Sequence, residues 1–328
     1  MEKEFVTLSQ GSGGSEMQEL ISRFAFSKAA QNAGWKNCDS DSATLDIGDG
    51  RSIVFTTDSF IVDPIFFPGG DIGHIAMCGT INDLSVMGAR PLGISLGIVI
   101  EEGFSISELD RIISSIDKVS KSTGIPVVTG DTKVMQKGKL DKILINTSGV
   151  GIIDNDILLA RKISVGDKII ISGGLGEHAV ALLSKRFDYT TDILSDSKPV
   201  IEEMDAIRDK VKIAKDPTRG GIASILNELC EKHGVGMLLY EEKIPAKQEV
   251  RKVVEMLGIN LYELACEGRI ICIVSPKDAQ SVEEILKKFN KDASIIGEIT
   301  EGSKVIIETF LGKRILSMPA GTIVPRIC

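Results

Sequence analysis

Ala43-Thr-Leu-Asp-Ile-Gly-Asp-Gly-Arg-Ser-Ile-Val-Phe-Thr-Thr-Asp58 reads as two strands, residues 43–47 and 52–57, folded back across Gly48-Asp49-Gly50. Glycine and aspartate accept the positive φ of a tight hairpin turn, and β-branched and aromatic residues fill both arms. Outward from this hairpin, the Pro- and Gly-rich stretch 63–71 gives way to helical apolar spacing from Gly73 to Met87 (Ile75, Ala76, Cys78, Leu84, Val86), stopped by Gly88. Next come a long strand Pro91–Glu101, an amphipathic helix Ser107–Thr123 capped by Ser107, a short buried strand Pro126–Thr129 and a strand Lys142–Ile153.

An irregular segment at 154–164 precedes a second alternation. It comprises strand Lys168–Ser172, helices Glu177–Arg186, Ser197–Val211 and Ile222–His233, strand Val235–Tyr240, helix Lys247–Leu257, strand Ile270–Val274, helix Ala279–Asn290, and strands near Ser294–Ile299 and Lys304–Glu308. Hairpins in both halves favour two α+β domains over one doubly wound sheet. A chain of 328 residues suits two cores. The expected division is 1–155, 156–316 and a mobile tail 317–328, which Pro319 and Pro325 keep out of helix.

Apolar residues make up 43% and charged residues 26%, as in an ordinary globular protein. A net charge of −8 supplies no dense basic face, so nucleic acid is not the expected partner. The longest apolar run, Pro91–Ile100, is too short to cross a bilayer, and the start Met-Glu-Lys-Glu lacks a signal pattern, so the cytoplasm is the expected compartment. The six cysteines form no CxxC pair, and most read as reduced core thiols. Cys328 differs, because a last residue is the least expected to be buried.

No P-loop motif occurs. Gly174-Leu-Gly-Glu-His-Ala179 follows a strand and opens a helix, as a dinucleotide fingerprint does, but polar residues 188–198 follow instead of a second strand ending in an acid. A tight turn is the better reading. The informative pattern is a set of aspartates at strand ends and helix starts, Asp41, Asp58, Asp83 and Asp131, whose hard oxygens suit Mg²⁺. Asp83 is the sharpest, an acid inside an apolar helical stretch. Lys133 lies two residues beyond Asp131. Gly11-Ser-Gly-Gly14 precedes a helix start, a place where backbone N–H groups meet phosphate. Asp216-Pro-Thr-Arg-Gly-Gly221 sets Arg219 before another helix, Glu267 adjoins an apolar strand as a candidate base, and the tail can carry the Cys328 thiol through roughly 30 Å.

These motifs, together with Gly79-Thr-Ile-Asn-Asp-Leu84, Val128-Thr-Gly-Asp-Thr-Lys133 and the closing Pro325-Arg-Ile-Cys328, closely resemble the HypE-type carbamoyl dehydratases of nickel–iron hydrogenase maturation. The resemblance spans nearly the whole chain. It implies N-terminal strands pairing across a homodimer into a barrel-like sheet, and ATP bound at Gly11, Gly13, Gly14, Asp58, Asn82, Asp131 and Arg219. It also implies Mg²⁺ on Asp41, Asp58, Asp83 and Asp131. Cys328 would carry a carbamoyl group that Lys133 and Glu267 help convert to thiocyanate. The implied partners are a carbamoyltransferase maturation protein as donor and an iron-scaffold complex as cyanide acceptor. Gln10 stands where the family commonly has histidine. The competing readings are a small-molecule kinase or synthetase of the same fold, such as a selenophosphate synthetase, and a nucleotide-binding scaffold that displays its tail without turnover.

Overall fold

The computed structural model describes residues 5–11, 13–23, 26–154, 158, 161–321 and 324–328. Ser12 of the glycine loop and the expected boundary at 155–156 lie outside the described residues. The first domain contains α1 (Ser15–Ser22), α2 (Phe26–Asn32), β1 (Trp35–Lys36), β2 (Ala43–Gly48), β3 (Arg51–Phe60), β4 (Phe66–Phe67), β5 (Gly70–Asp71), α3 (Ile72–Val86), β6 (Arg90–Glu101), α4 (Ile106–Thr123), β7 (Val127–Met135) and β8 (Ile143–Asp154). The expected hairpin is β2–β3. Its sheet runs β1-β2-β3-β8-β6-β7, antiparallel except for the β6–β7 pair.

One face of this sheet is covered by α3. That helix is apolar on all sides because it packs between the sheet, α4 and the second domain, so nearly every residue on it is buried. Strand β3 alternates cleanly: Ser52, Val54, Thr56 and Phe60 are buried with Asp58 on their side, while Phe55, Thr57 and Ser59 face away.

The second domain holds β9 (Lys168–Ile171), α5 (Glu177–Arg186), α6 (Ile201–Ile207), β10 (Val211–Lys215), α7 (Gly221–His233), β11 (Gly236–Tyr240), α8 (Gln248–Leu257), β12 (Ile271–Val274), α9 (Pro276–Lys287), β13 (Ser294–Thr300), β14 (Val305–Thr309) and β15 (Gly312–Ile315). They form a sheet ordered β10-β12-β9-β13-β11-β14-β15, with the β11–β14 pair parallel. Ile169, Ile171, Ile271 and Ile273 face a core shared with the first domain, and Ile170, Cys272 and Val274 face a smaller one with α6 and α9.

Three expectations change. The helix read over Ser197–Val211 is only Ile201–Ile207, because Pro199 excludes an earlier helical turn and Val211-Lys-Ile-Ala-Lys215 pairs with β12. The short buried strand at 126–129 is instead a nine-residue strand, exposed along nearly its whole length and hydrogen-bonded only to β6. An edge strand tolerates the polar run Thr129-Gly-Asp-Thr-Lys133 along its length. Finally, the segment expected to be a mobile tail is docked: Val324, Ile327 and Cys328 belong to the main apolar core, and Cys328 is 7% exposed.

Candidate active site

The inward side of β3, the middle of α3 and the end of β10 meet in a cluster of carboxylates. Thr56 Oγ1 lies 2.7 Å from Asp83 Oδ2 and 3.0 Å from the carbonyl of Asp41. Lys215 Nζ is 2.9 Å from Asp41 Oδ1, and Arg219 is 3.6 Å from Asp58. Asp216 completes the group from the second domain. Burial raises Asp83 well above the usual carboxylate range, with further push from Asp216, Asp58 and Asp41. Burial and the Asp41 charge likewise raise Asp216 to about 8, against the opposing pull of Lys215. Asp58 is raised by burial and drawn back by Arg219.

Four carboxyl groups, Asp41, Asp58, Asp83 and Asp216, outnumber the two cations, so full ionisation would leave net negative charge here. Asp41 Oδ2 is buried with no partner. Among the described residues no three acidic, histidine or cysteine side chains stand together as a ready metal site. An open set of hard oxygens with an orphaned buried acceptor fits Mg²⁺ that takes its remaining ligands from phosphate and water.

Beside this cluster sits the thiol of Cys328. Burial drives its pKa upward, Arg219 pulls it down, and Glu267, Asp58 and Asp216 add to the rise. Glu267 is itself pushed well above normal by burial, then by Asp196, Asp216 and Asp58. Its Oε1 is buried without a hydrogen-bond partner. The peptide carrying it is fixed: Glu267 N–H donates to Asp196 Oδ1 at 3.2 Å, and its carbonyl accepts from Asn82 Nδ2 at 3.2 Å. Gly268 is required next to it, since a Cβ there would lie 2.1 Å from the Asp196 carbonyl.

The expected site residues do not all gather. Asp41, Asp58, Asp83, Arg219, Glu267 and Cys328 do. Asn82, expected at the nucleotide, is 1% exposed and spent on backbone: Nδ2 also donates to the Lys198 carbonyl at 3.1 Å, and Oδ1 accepts from Val200 N–H at 2.9 Å. Asn82→Ala strips three backbone groups of partners, so it should cost on the order of 3 kcal/mol, read as a lower urea midpoint at unchanged slope.

The N-terminus of α1, expected to face phosphate, is occupied by the tail: Ser15 N–H donates to the Pro319 carbonyl at 2.9 Å and Glu16 N–H to that of Ala320 at 3.2 Å. Gly14 (φ +77°) permits this approach, because a Cβ there would stand 2.3 Å from the Pro319 oxygen. Gly13 packs on the Arg219 backbone, and Gly11 offers its carbonyl to Arg219 Nη1 at 3.2 Å. Gln10 closes a local turn, its Oε1 accepting from Thr7 N–H at 3.0 Å.

Asp131 and Lys133 lie elsewhere. They pair with each other at 2.8 Å and are 68% and 67% exposed. The register aligns Asp131 with Gly97, Asn146 and Ser59, on the outer face of the sheet, whereas Asp58 points to the inner face. Three strand spacings, roughly 14 Å, also separate Asp131 from Ser59. One chain therefore does not bring Asp131 and Lys133 to its own Asp58 and Asp83. Asp216, which does join the cluster, was legible only as part of the turn Asp216–Gly221, and Lys215 and Thr56, which also join it, carried no signal of their own.

Two sheet domains meeting at a buried acidic cluster are the layout of the AIR synthase class. Residues 39–153 match the AIR synthase related protein N-terminal domain, and residues 164–309 match its C-terminal domain. A putative hydrogenase expression/formation protein of Methanocaldococcus jannaschii is 42% identical, over 98% of this chain and 99% of its own length. Carbamoyl dehydratase HypE of Escherichia coli K12 is 38% identical, over 98% and 99% respectively. A solved HypE in complex with ATP superposes with TM-score 0.81 at 35% identity, covering 99% of this chain and 100% of that one. The HypE of a HypE–HypF complex does so with TM-score 0.81 at 38% identity, covering 90% and 100%. The chain belongs to the carbamoyl dehydratase HypE family.

Proposed function

We propose that this enzyme uses ATP to dehydrate a carbamoyl group on the sulfur of Cys328, producing a thiocyanate that supplies cyanide for hydrogenase iron. The observation that carries this reading is the docked tail, which places a buried thiol beside an unpartnered buried carboxyl, Glu267, and the carboxylate cluster. The solved relative in complex with ATP supports nucleotide binding. The HypE–HypF complex supports HypF as the partner that delivers the carbamoyl group. An iron-scaffold complex is the acceptor in this reading, and the reaction is placed in the cytoplasm. No helix among the described residues is long and apolar enough to cross a membrane.

The chemistry balances in two steps. The carbamoyl oxygen of Cys328–S–C(=O)NH₂ attacks the γ-phosphorus of ATP, a P–O bond forms and ADP leaves. The nitrogen then gives up both of its protons, one to Glu267 and the other to the departing phosphate, as the C–O bond breaks, giving Cys328–S–C≡N and inorganic phosphate, so the oxygen departs as phosphate rather than as water. Glu267 takes a proton from nitrogen. A carboxylate that burial makes costly is a strong base once ionised, and its free Oε1 awaits a donor. Arg219 faces both the sulfur and Asp58 and stabilises negative charge developing near the carbamoyl carbon. Asp41, Asp58, Asp83 and Asp216 would hold Mg²⁺, which when bound neutralises charge on the phosphates. Hydrolysis of ATP should require a carbamoylated Cys328; equal hydrolysis by the unmodified protein favours the kinase alternative.

Lys133 and Asp131 act in this reading through a second copy. The outer face of the first sheet carries Ile53, Phe55, Val99, Leu144, Val150 and Ile152, opposite the face that α3 covers, and β7 leaves one edge unpaired. Pairing of these surfaces in a homodimer covers them and brings a charged edge to the partner. Light scattering should report twice the chain mass at micromolar concentration, and a strict monomer into the millimolar range removes Lys133 from the mechanism.

A further inference from the structure

The glycine motif Gly174-Leu-Gly-Glu-His-Ala179 is not used by the proposed chemistry, yet it starts the helix that grips the tail. Gly176 (φ +78°) has no room for a side chain, since a Cβ there would lie 2.9 Å from Val250 and 3.0 Å from Leu264. The close start of α5 carries His178 into the core, fully buried, with its ring edge-on to Phe67 at 5.3 Å between centroids. His178 Nε2 lies 2.7 Å from the carbonyl of Ile327, the residue before the thiol. A carbonyl only accepts, so Nε2 carries the proton. Nδ1 then accepts from Ser195 Oγ at 2.8 Å, and Ser195 Oγ in turn accepts from Ser197 N–H at 3.1 Å.

Ser195 is itself seated, its N–H donating to the Pro68 carbonyl at 2.9 Å, against a Gly69 whose Cβ would stand 2.7 Å from that nitrogen. Three other hydrogen bonds steady the tail, from the same helix and from the segment after β3. Arg186 Nη2 donates to the Arg326 carbonyl at 3.2 Å, Ile61 N–H donates to the main-chain oxygen of Cys328 at 3.2 Å, and Asp63 N–H donates to the Arg326 carbonyl at 3.1 Å. Every one of these bonds engages tail backbone, and among the described residues it is His178 that reaches the carbonyl of Ile327.

We propose that His178 is a positioning residue, its imidazole fixed by Ser195 and holding the Ile327 carbonyl so that the Cys328 sulfur enters the site at a set depth. This rests on the dehydratase reading for its consequence in turnover, but the clamp has a readout of its own. In the full-length protein, iodoacetamide labelling of each cysteine is followed by peptide mass spectrometry, with half-exposed Cys38 as the reference and buried Cys78, Cys266 and Cys272 as reporters of the fold.

His178→Phe keeps a ring against Phe67 and removes the donor. It should speed labelling of Cys328 by about ten-fold, the equivalent of one buried hydrogen bond, without speeding Cys78, Cys266 or Cys272. On carbamoylated protein it should lower kcat by a similar factor at unchanged KM for ATP, and His178→Gln, which can still donate, should restore most of both. If the phenylalanine variant does not fold, Ser195→Ala leaves the ring in place but free to turn and should show the same selective exposure to a smaller degree. Cys328 labelling at the wild-type rate in these variants overturns the proposal, as does a rise shared by all the buried cysteines. Selective exposure of Cys328 in a protein whose wild type forms no nitrile supports the clamp and rejects the dehydratase reading instead.

Discussion

Cys328→Ala is expected to abolish nitrile formation outright while leaving ATP affinity unchanged. None of the other five thiols is carried by the tail: Cys78, Cys266 and Cys272 are buried in packed cores, and Cys230 and Cys38 lie on α7 and near β1. Cys328→Ala removes one buried sulfur but leaves the backbone bonds that dock the tail, so the melting temperature should fall only slightly, consistent with a loss of about 1 kcal/mol. Loss of turnover at near-native stability then points to chemistry. Turnover of ATP with a small-molecule acceptor at the wild-type rate would instead make the protein a kinase with a structural tail.

Asp83→Asn is expected to reduce Mg²⁺-dependent turnover by roughly 100-fold, the scale set by removing one preorganised charge-stabilising group from an active site. The same variant has a signature in stability. Asp83 and Asp216 are raised in the folded protein, Asp216 to about 8, so the folded state keeps protons that the unfolded chain releases near pH 4. Stability from these groups is therefore complete below their unfolded pKa values and is lost as pH rises through the folded ones. In chelator, the melting temperature should fall between pH 5.5 and about 8.5. Added Mg²⁺ should remove most of the fall by neutralising the ionised cluster, and Asp83→Asn should lessen it without metal because an amide does not ionise, leaving the part that Asp216 contributes. A flat wild-type profile in chelator would mean that the cluster is not held protonated.

Much of the fold was legible because the local signals agreed with one another. The hairpin at Gly48–Gly50, the all-apolar period of α3 and the boundaries of α5 and α7 follow from turn chemistry and burial, and the structure places them within a residue or two. Misreadings arose where tertiary context decides. Pro199 was absorbed into a helix that begins only at Ile201, and the polar strand β7 was cut short because an edge need not alternate.

The candidate site divides the same way. Asp41, Asp58, Asp83, Arg219 and Glu267 stand together as their motifs suggested. The outward aim of Asp131 and Lys133 depends on strand register, which spacing alone does not fix. Docking of the tail was unreadable because its hydrogen bonds run to groups more than 100 residues away, at His178, Arg186, Ile61 and Asp63.

The central claim is that Cys328 carries the group that is dehydrated. Its most direct test is the mass of the peptide ending at Cys328 after carbamoylated protein is mixed with Mg-ATP. The account predicts loss of the mass of one water from that peptide, one ADP and one phosphate formed per Cys328 converted, and no change with a non-hydrolysable ATP analogue. A carbamoyl peptide of unaltered mass after ATP has been consumed would contradict it.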